Sequence, residues 1–591
     1  MPKIGFFIVA MLMISVVFGA CASEEEPAPS QPAPAQPAPT AAAPAPAQPA
    51  PAPTAAPAPA QPAPEAMEKS DTLTVVLKAT GAPVFRNGKL PWPSSTFLFG
   101  YGIAERLGTV DEDYKPTQPM LSTGWEMAED QSEVIVNLRD DVEFHQGWGK
   151  LTADDVVYSY NDANVTTNPE SRWDDAGEIS VVYKNAEAID DQTVRLVVQE
   201  FQAVWTDYIA RSPLVIFSKK VYDDKGPDEA ANTLVATGPY EVTEWIEGDK
   251  IDAEAVQGHW RVTPYYAKLR VLEVPENATR VSMMRTGEAD IAQIPVKDIA
   301  DLLENYGAST LPHGGSLGHG VWFAGNYYHS ESPVSGDPVD REGFTPDADH
   351  PWIGDPSDPT SLENARKFRM ALAMAIDREA INDVMLGGLG EPNYAMYAPR
   401  PGLDGWDERW RIEFDPDQAR AMLAEIGVAE GFSFPFYIPP DSVVVPEIGE
   451  AVAEMWRNIG LEPEVFNMAY TAHRPRLVER TLNYPWLFVN PGADDPMDLP
   501  RAPLWTQVES GANPGLEDPQ LYDLYFKAQA SEDPEEVAMI NEQIIDYAHE
   551  QMYLTAIASV PGLFTFRAET VKEWPLNRYS PINNLEYIKG Q

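Results

Sequence analysis

Short β-branched runs alternate along this chain with longer stretches in which apolar residues recur at helical spacing. Leu73 to Leu77 is a β-branched run that predicts a buried first strand. Val134, Val136 and Leu138 alternate with Ile135, Asn137 and Arg139 and predict another. Thr152 then offers a helix N-cap, with Asp155 three residues on to complete a capping-box-like start. Asp154 and Asp155 fall in the first turn, where the helix dipole favours acids. In the second half, Phe368, Ala371, Leu372, Ala375 and Ile376 share one helical face. Asp415 and Pro416 predict an N-cap and first helical residue, followed by Ala419, Met422, Leu423 and Ile426 and closed by Gly427. Ile448, Val452, Met455, Trp456 and Ile459 predict a further helix ending at Gly460. Asp533 and Pro534 open a late one carrying Val537, Ile540, Ile544 and Tyr547. These stripes are core faces, so the pattern predicts an α/β protein in at least two units. Residues 330–362 lack any period and are rich in Pro, Gly and Asp. Asp337, Asp340, Asp347, Asp349, Asp355 and Asp358 crowd that stretch, but their spacing does not match an EF-hand loop. A solvated surface loop is expected there.

The first residues follow a different pattern. Lys3 precedes a mostly apolar run from Ile4 to Phe18, too short to span a bilayer comfortably and suited to a signal-peptide core. Gly19, Ala20 and Cys21 follow, and the segment resembles a bacterial lipobox. The expectation is a lipoprotein signal over 1–20 and lipidation of Cys21. Cys21 is the sole cysteine, so no internal disulfide supports the fold. From Glu24 to about Lys69 the chain is almost entirely Pro, Ala and Gln with a few acids, which favours extended polyproline II over a packed helix and predicts a disordered stalk over 21–70. At ~3.1 Å per residue the stalk reaches on the order of 100 Å.

About 520 residues remain, too many for one core, so two or more lobes are expected. The formal charge of −49 leaves no basic footprint for phosphate and argues against nucleic acid. It also argues against broad docking on anionic lipid. Excess acid is read as a device that keeps an exported protein soluble.

The stretch Leu138-Arg139-Asp140-Asp141-Val142-Glu143-Phe144-His145-Gln146-Gly147, with Leu151 to Val156 after it, resembles the signature of the family-five extracytoplasmic solute-binding proteins. Glu105, Leu107, Pro119 and Trp125 fit upstream family positions. Thr237-Gly238-Pro239-Tyr240 with Trp245, Gly287-Glu288-Ala289-Asp290, and Phe368 to Arg378 match further motifs in the family's order. The resemblance covers the chain after Asp71. It implies a two-lobed periplasmic-binding-protein-like fold, with an extra subdomain in the first lobe and a hinged interlobe cleft. First lobe with subdomain over 71–315, second lobe over 316–555 and a return segment over 556–591 are expected. Crossings are expected near 311–323 and 553–564. The implied role is a monomeric, lipid-anchored cell-envelope receptor, on the periplasmic face or the outer surface of the membrane. It captures a small-molecule or peptide ligand and delivers it to an ABC permease. No G-x-x-x-x-G-K-[ST] loop is present, so a separate ATPase must drive import.

Peptide-binding relatives carry a W-x-x-D-x-x-D/E-P segment whose first Asp pairs with the peptide amine. Here the matching stretch is Val489 to Pro496, with Gly492 at the amine position and Asp494 and Asp495 as the candidate carboxylates. Trp322, Trp486 and Trp505 are candidates for stacking on a ligand, and they keep an oligosaccharide or other organic solute open as the alternative. A secreted serine hydrolase is the third reading, because Gly314-Gly315-Ser316-Leu317-Gly318 fits G-x-S-x-G between His313 and His319. A nucleophile elbow needs a helix straight after its serine, whereas Val321-Trp322-Phe323 predicts a strand. The eight histidines are scattered with no H-E-x-x-H pair, so neither a metal nor a cofactor is expected. His145 is expected to be structural.

Overall fold

The computed structural model describes residues 71–90, 94–110, 116–310, 317–323, 347–440, 445–468, 472, 473, 476, 482–491, 518–560, 564–575 and 583–590, less 174, 204, 211, 213, 396, 397 and 404. Two large sheets organise it. The first runs in the order Tyr240–Ile246, Lys250–Ala255, Lys268–Glu273, Thr72–Leu77, Ile291–Gln293, Phe564–Arg567, Ala308–Thr310. Thr72–Leu77 lies at its centre, parallel to both neighbours. Its β-branched run is buried on both faces: Leu73, Val75 and Leu77 enter one core and Val76 the other. That is why the run shows no polar alternation.

A four-stranded antiparallel sheet, ordered Ser122–Met127, Glu133–Leu138, Thr193–Val198, Tyr183–Asp190, forms the extra subdomain. Val134, Val136 and Leu138 point into its core with Val156 and Tyr160 of the helix Ala153–Ala163. That helix starts as its sequence predicts. The Thr152 N–H donates to Asp155 Oδ2 at 2.9 Å, and Asp155 Oδ1 also accepts from the Lys219 N–H at 2.7 Å.

The second large sheet runs Glu391–Pro392, Leu554–Val560, Leu317–Phe323, Pro485–Pro491, Phe432–Tyr437, Leu461–Phe466. Phe432–Tyr437 and Leu461–Phe466 are parallel and joined by the helix Pro446–Asn458. Helices Pro359–Met374 and Pro416–Glu425 share that helix's core, and Asp415 caps the latter through the Gln418 N–H at 2.8 Å. Helices Pro519–Ala530 and Pro534–Glu550 cover the other face, with Asp518 and Asp533 as their caps. The chain leaves the first sheet after Thr310, enters the second at Leu317, stays in it to Val560, and re-enters the first at Phe564. Among the described residues, no helix is long and apolar enough to cross a membrane.

One expectation fails in part. The stretch 330–362 is not wholly a surface loop, because Trp352 and Ile353 are core residues and a helix begins at Pro359. Trp352 lies within 6.0 Å of Phe368 and 5.8 Å of Phe434, ring centre to ring centre. A single anchoring aromatic leaves no period for sequence reading to find. Asp347 and Asp355 accept from nearby backbone N–H groups, and Asp358 caps the helix. Asp337 and Asp340 lie outside the described residues.

Candidate functional site: the edges between the two sheets

Ligands of open α/β sheets bind outside the carboxyl ends of parallel strands. In the first sheet those ends are Leu77, Glu273 and Gln293. The chain turns sharply after Leu77 under side-chain control. The Lys78 N–H donates to Gln293 Oε1 at 3.1 Å, and the Thr80 N–H and hydroxyl both donate to Glu273 Oε2 at 2.9 Å. In the second sheet the corresponding ends are Tyr437, Phe466 and Pro491. Lys78 Nζ crosses from one sheet to the other and donates to the Pro440 carbonyl at 2.7 Å. Further along the chain, the Val445 N–H donates to His319 Nε2 at 3.0 Å. That ring nitrogen therefore accepts and carries no proton.

Trp322 and Trp486 are brought together as paired positions of adjacent antiparallel strands. Their neighbours Val321 and Leu487 face one core, while both indoles face the other, towards Leu521 and Ile544. They are 1% and 2% exposed. Phe488 lies 5.9 Å from Trp322 and 4.8 Å from Trp486. Sequence reading missed three members of this aromatic cluster, Phe488, Tyr437 and His473. His473 lies flat on Tyr437, with ring centres 3.7 Å apart and planes 13° apart. Burial, aided by Arg476, pushes the His473 imidazole down to about 4, so it is neutral at physiological pH. Tyr437 closes an alternating strand and was readable as buried; the isolated His473 carries no sequence signal. Asp494, Asp495, Trp505 and Cys21 lie outside the described residues.

The ordered sequence motifs make bonds that hold the fold together. His145 Nε2 donates to the Gly238 carbonyl at 2.8 Å and so ties the signature stretch to the T-G-P-Y turn. Gly238 itself packs against the chain at 102 and 103. A Cβ there would sit 2.3 Å from the Gly102 carbonyl oxygen, so no side chain fits. Asp290 Oδ2 accepts from the Thr74 N–H at 2.8 Å, and its carbonyl accepts from the Arg567 N–H at 2.9 Å. Arg369 clamps the Trp352 and Gln551 carbonyls. Arg378, wholly buried, serves the Asn393, Ala556, Ala373 and Ile376 carbonyls and the Thr555 hydroxyl. Burial lowers its guanidinium to about 10, still charged at neutral pH.

Glu105 joins a buried charge cluster. Arg261 Nε donates to Glu105 Oε1 at 2.9 Å, and its Nη1 donates to Glu586 Oε1 at 2.6 Å and to Tyr587 Oη at 2.8 Å. Trp260 Nε1 donates to the second Glu105 oxygen at 3.2 Å. Burial opposes the Arg261 charge, but Glu586 and Glu105 outweigh it and raise the guanidinium above its ordinary value.

The buried His145 makes stability depend on pH. Burial lowers its folded value to about 4, below the 6.5 of the free side chain. Between those values the unfolded chain binds the extra proton, so stability is complete above about pH 6.5 and falls as the solution is acidified. Urea titrations across pH 6.5 to 5 are expected to fall more steeply for wild type than for His145→Gln, by about 1.4 kcal/mol per pH unit at most. Equal slopes would show that His145 is not held neutral.

The catalytic reading finds no support in this geometry. A strand, Leu317–Phe323, follows directly where an elbow requires a helix. Among the described residues, no three His, Cys, Asp or Glu side chains are grouped to hold a metal.

Comparison with known proteins agrees with the motif reading. The chain is 22% identical over 408 residues to the heme-binding protein A of Haemophilus influenzae, covering 64% of this chain and 67% of the relative. It is 22% identical over 420 residues to the dipeptide-binding protein of Escherichia coli, covering 66% and 71%. The crystal structure of a dipeptide binding protein from Pseudoalteromonas sp. SM9913, in complex with Met-Leu, superposes with a TM-score of 0.70 at 19% identity. It covers 88% of this chain and all of that one. These likenesses fix the two-lobed architecture of the fold. Residues 116–513 match the family model described as "Bacterial extracellular solute-binding proteins, family 5 Middle". The chain belongs to the bacterial extracellular solute-binding proteins of family 5.

Proposed function

We propose that this chain is the lipid-tethered receptor of an ABC importer, which captures a peptide-like solute by closing its two lobes and hands it to the permease. A separate ATPase supplies the energy. The observation that carries this reading is the Lys78–Pro440 bond, which joins the carboxyl edge of one parallel strand set to that of the other. Two chain crossings between the sheets allow a hinge motion about that contact. The lobes are taken as 71–315 and 316–555, with 556–591 returning to the first. Asp494 and Asp495 are the proposed partners of a ligand amine and Trp505 a proposed stacking contact. Trp322 and Trp486, buried in the core of the second sheet, are not proposed as ligand contacts. The dipeptide names of two similar proteins support a peptide-like solute. A second reading, an oligosaccharide or other organic solute, rests on Trp505 as a stacking surface. The function is binding, not catalysis, and involves neither nucleic acid nor an oligomer.

A thermal-shift panel of di- and tripeptides, oligosaccharides and metal ions separates the readings. Peptides are expected to raise the melting temperature by several degrees at saturating concentration. A rise with oligosaccharides and none with peptides would transfer the assignment to sugars. The tether is tested in cells with labelled palmitate. The label is expected on wild type and absent from Cys21→Ser, which is released from the membrane; an unlabelled wild-type protein removes the anchor from the proposal.

A further inference from the structure

Beside the chain crossings, the two lobes exchange apolar side chains. Val296 is the first residue of the helix Val296–Asn305, which belongs with the first sheet. Its own side chain, 6% exposed, instead joins the core built on the second sheet, with Leu386 and Val560 among its members. In return, Leu389 of the second lobe packs on that core and also on a core of the first lobe, which holds Val76, Ile294 and Leu302. Both residues stand a few positions from where the chain crosses. Gln293, three residues before Val296, pairs with Phe564, the first residue of the returning strand. Glu391, two residues after Leu389, pairs with Ser559 at the end of the strand Leu554–Val560.

Leu389 is held by a tight turn that follows one turn of π-helix, Ile381–Met385. The Leu386 N–H donates to the Ile381 and Asn382 carbonyls at 3.2 Å, the Gly388 N–H to Asn382 at 3.0 Å, and the Leu389 N–H to Leu386 at 3.0 Å. Gly387 and Gly388 take φ of 60° and 70°, which lets the chain reverse there without strain. Each of these bonds lies within the second lobe. Leu389 therefore moves with that lobe while its side chain rests against the other.

We propose that Leu389 and Val296 are the pivot of the lobe motion, an apolar joint that stays packed in the open and the closed receptor and confines the lobes to one axis. The proposal rests on the lobe closure proposed above and names the device that guides it. A rotation displaces least what lies nearest its axis, and these residues sit beside the crossings. Two covalent crossings alone permit twisting as well as bending. Interdigitated side chains resist the twist, because a close-packed contact has few arrangements. Apolar packing suits such a joint: it has no preferred direction and survives a small roll that would break a hydrogen bond.

Pulsed electron–electron resonance on the full-length chain tests this. Nitroxides are attached through Asp228→Cys on the first lobe and Asp417→Cys on the second, both in the open, with Cys21→Ser to keep labelling specific. Without solute the parent is expected to show one narrow distance peak, which a mixture of di- and tripeptides moves without broadening. Leu389→Ala and, separately, Val296→Ala are each expected to broaden the solute-free peak roughly twofold. Val452→Ala, inside the second lobe's core, is the control; it lowers the melting temperature and keeps the parent's width. Pivot variants with the parent's width, a parent as broad as the variants, or a control that broadens equally overturn the pivot and leave lobe closure standing. A parent peak unmoved by peptides and by oligosaccharides overturns lobe closure and the pivot with it.

Discussion

Arg261→Met is expected to lower the unfolding free energy by roughly 3–5 kcal/mol at pH 7, read from urea denaturation. Arg261 is the cation between two carboxylates, Glu105 and Glu586, that are 0% and 4% exposed. Removing it leaves both charges buried without compensation, which costs far more than the pair contributes when intact. The same logic gives an internal check. Adding Glu105→Gln and Glu586→Gln to Arg261→Met removes the stranded charges and is expected to restore about half of the loss or more. A triple variant no more stable than the single one would mean that Arg261 acts through packing. The consequence is long-ranged, because Arg261 and Glu586 are 325 positions apart.

Arg378→Met is expected to cost about 4 kcal/mol through a different mechanism. Here the guanidinium answers four backbone carbonyls and a hydroxyl, with no carboxylate in the set. Methionine fills most of the volume, so the cavity is small; the loss comes from carbonyls left buried and unpaired. Arg378→Lys keeps the charge but replaces a planar fork by a point donor, and is expected to lie between Met and wild type. Arg420→Met is the surface control. Arg420 pairs with Asp417 in the open, and its removal is expected to change stability by less than about 1 kcal/mol. Should Arg378→Met unfold at the same urea concentration as Arg420→Met, the carbonyl clamp is not a stabilising element.

Much of the fold was legible because its causes are local. The caps Asp415 and Asp533 with their following prolines, and the apolar faces behind them, lie within a few residues of what they specify. The alternation of Val134, Val136 and Leu138 needs one buried face and nothing else. Trp352 shows the limit. It stands in a stretch with no period, and its burial depends on Phe368 and Phe434, which no neighbouring residue announces. The candidate site was less legible. Lys78 was singled out by no motif, and its partner Pro440 lies 362 positions away. His473 was equally silent, since a lone histidine reads the same on a surface as on the face of Tyr437.

The sequence by itself determined the α/β class, the helix starts, the buried strands and, through motifs in a fixed order, the family. Short-range hydrogen bonding and hydrophobic period write those features within a few residues of one another. Only the tertiary structure decided that the motif residues Gly238, Arg369 and Arg378 hold the chain together, and it supplied the partner of His145, which the sequence already marked as structural. It alone decided that two tryptophans marked for stacking are paired inside a core. The reason is that a side chain's role depends on which distant backbone or ring completes its surroundings. Burial and pairing are properties of that assembled environment, and no local pattern carries them.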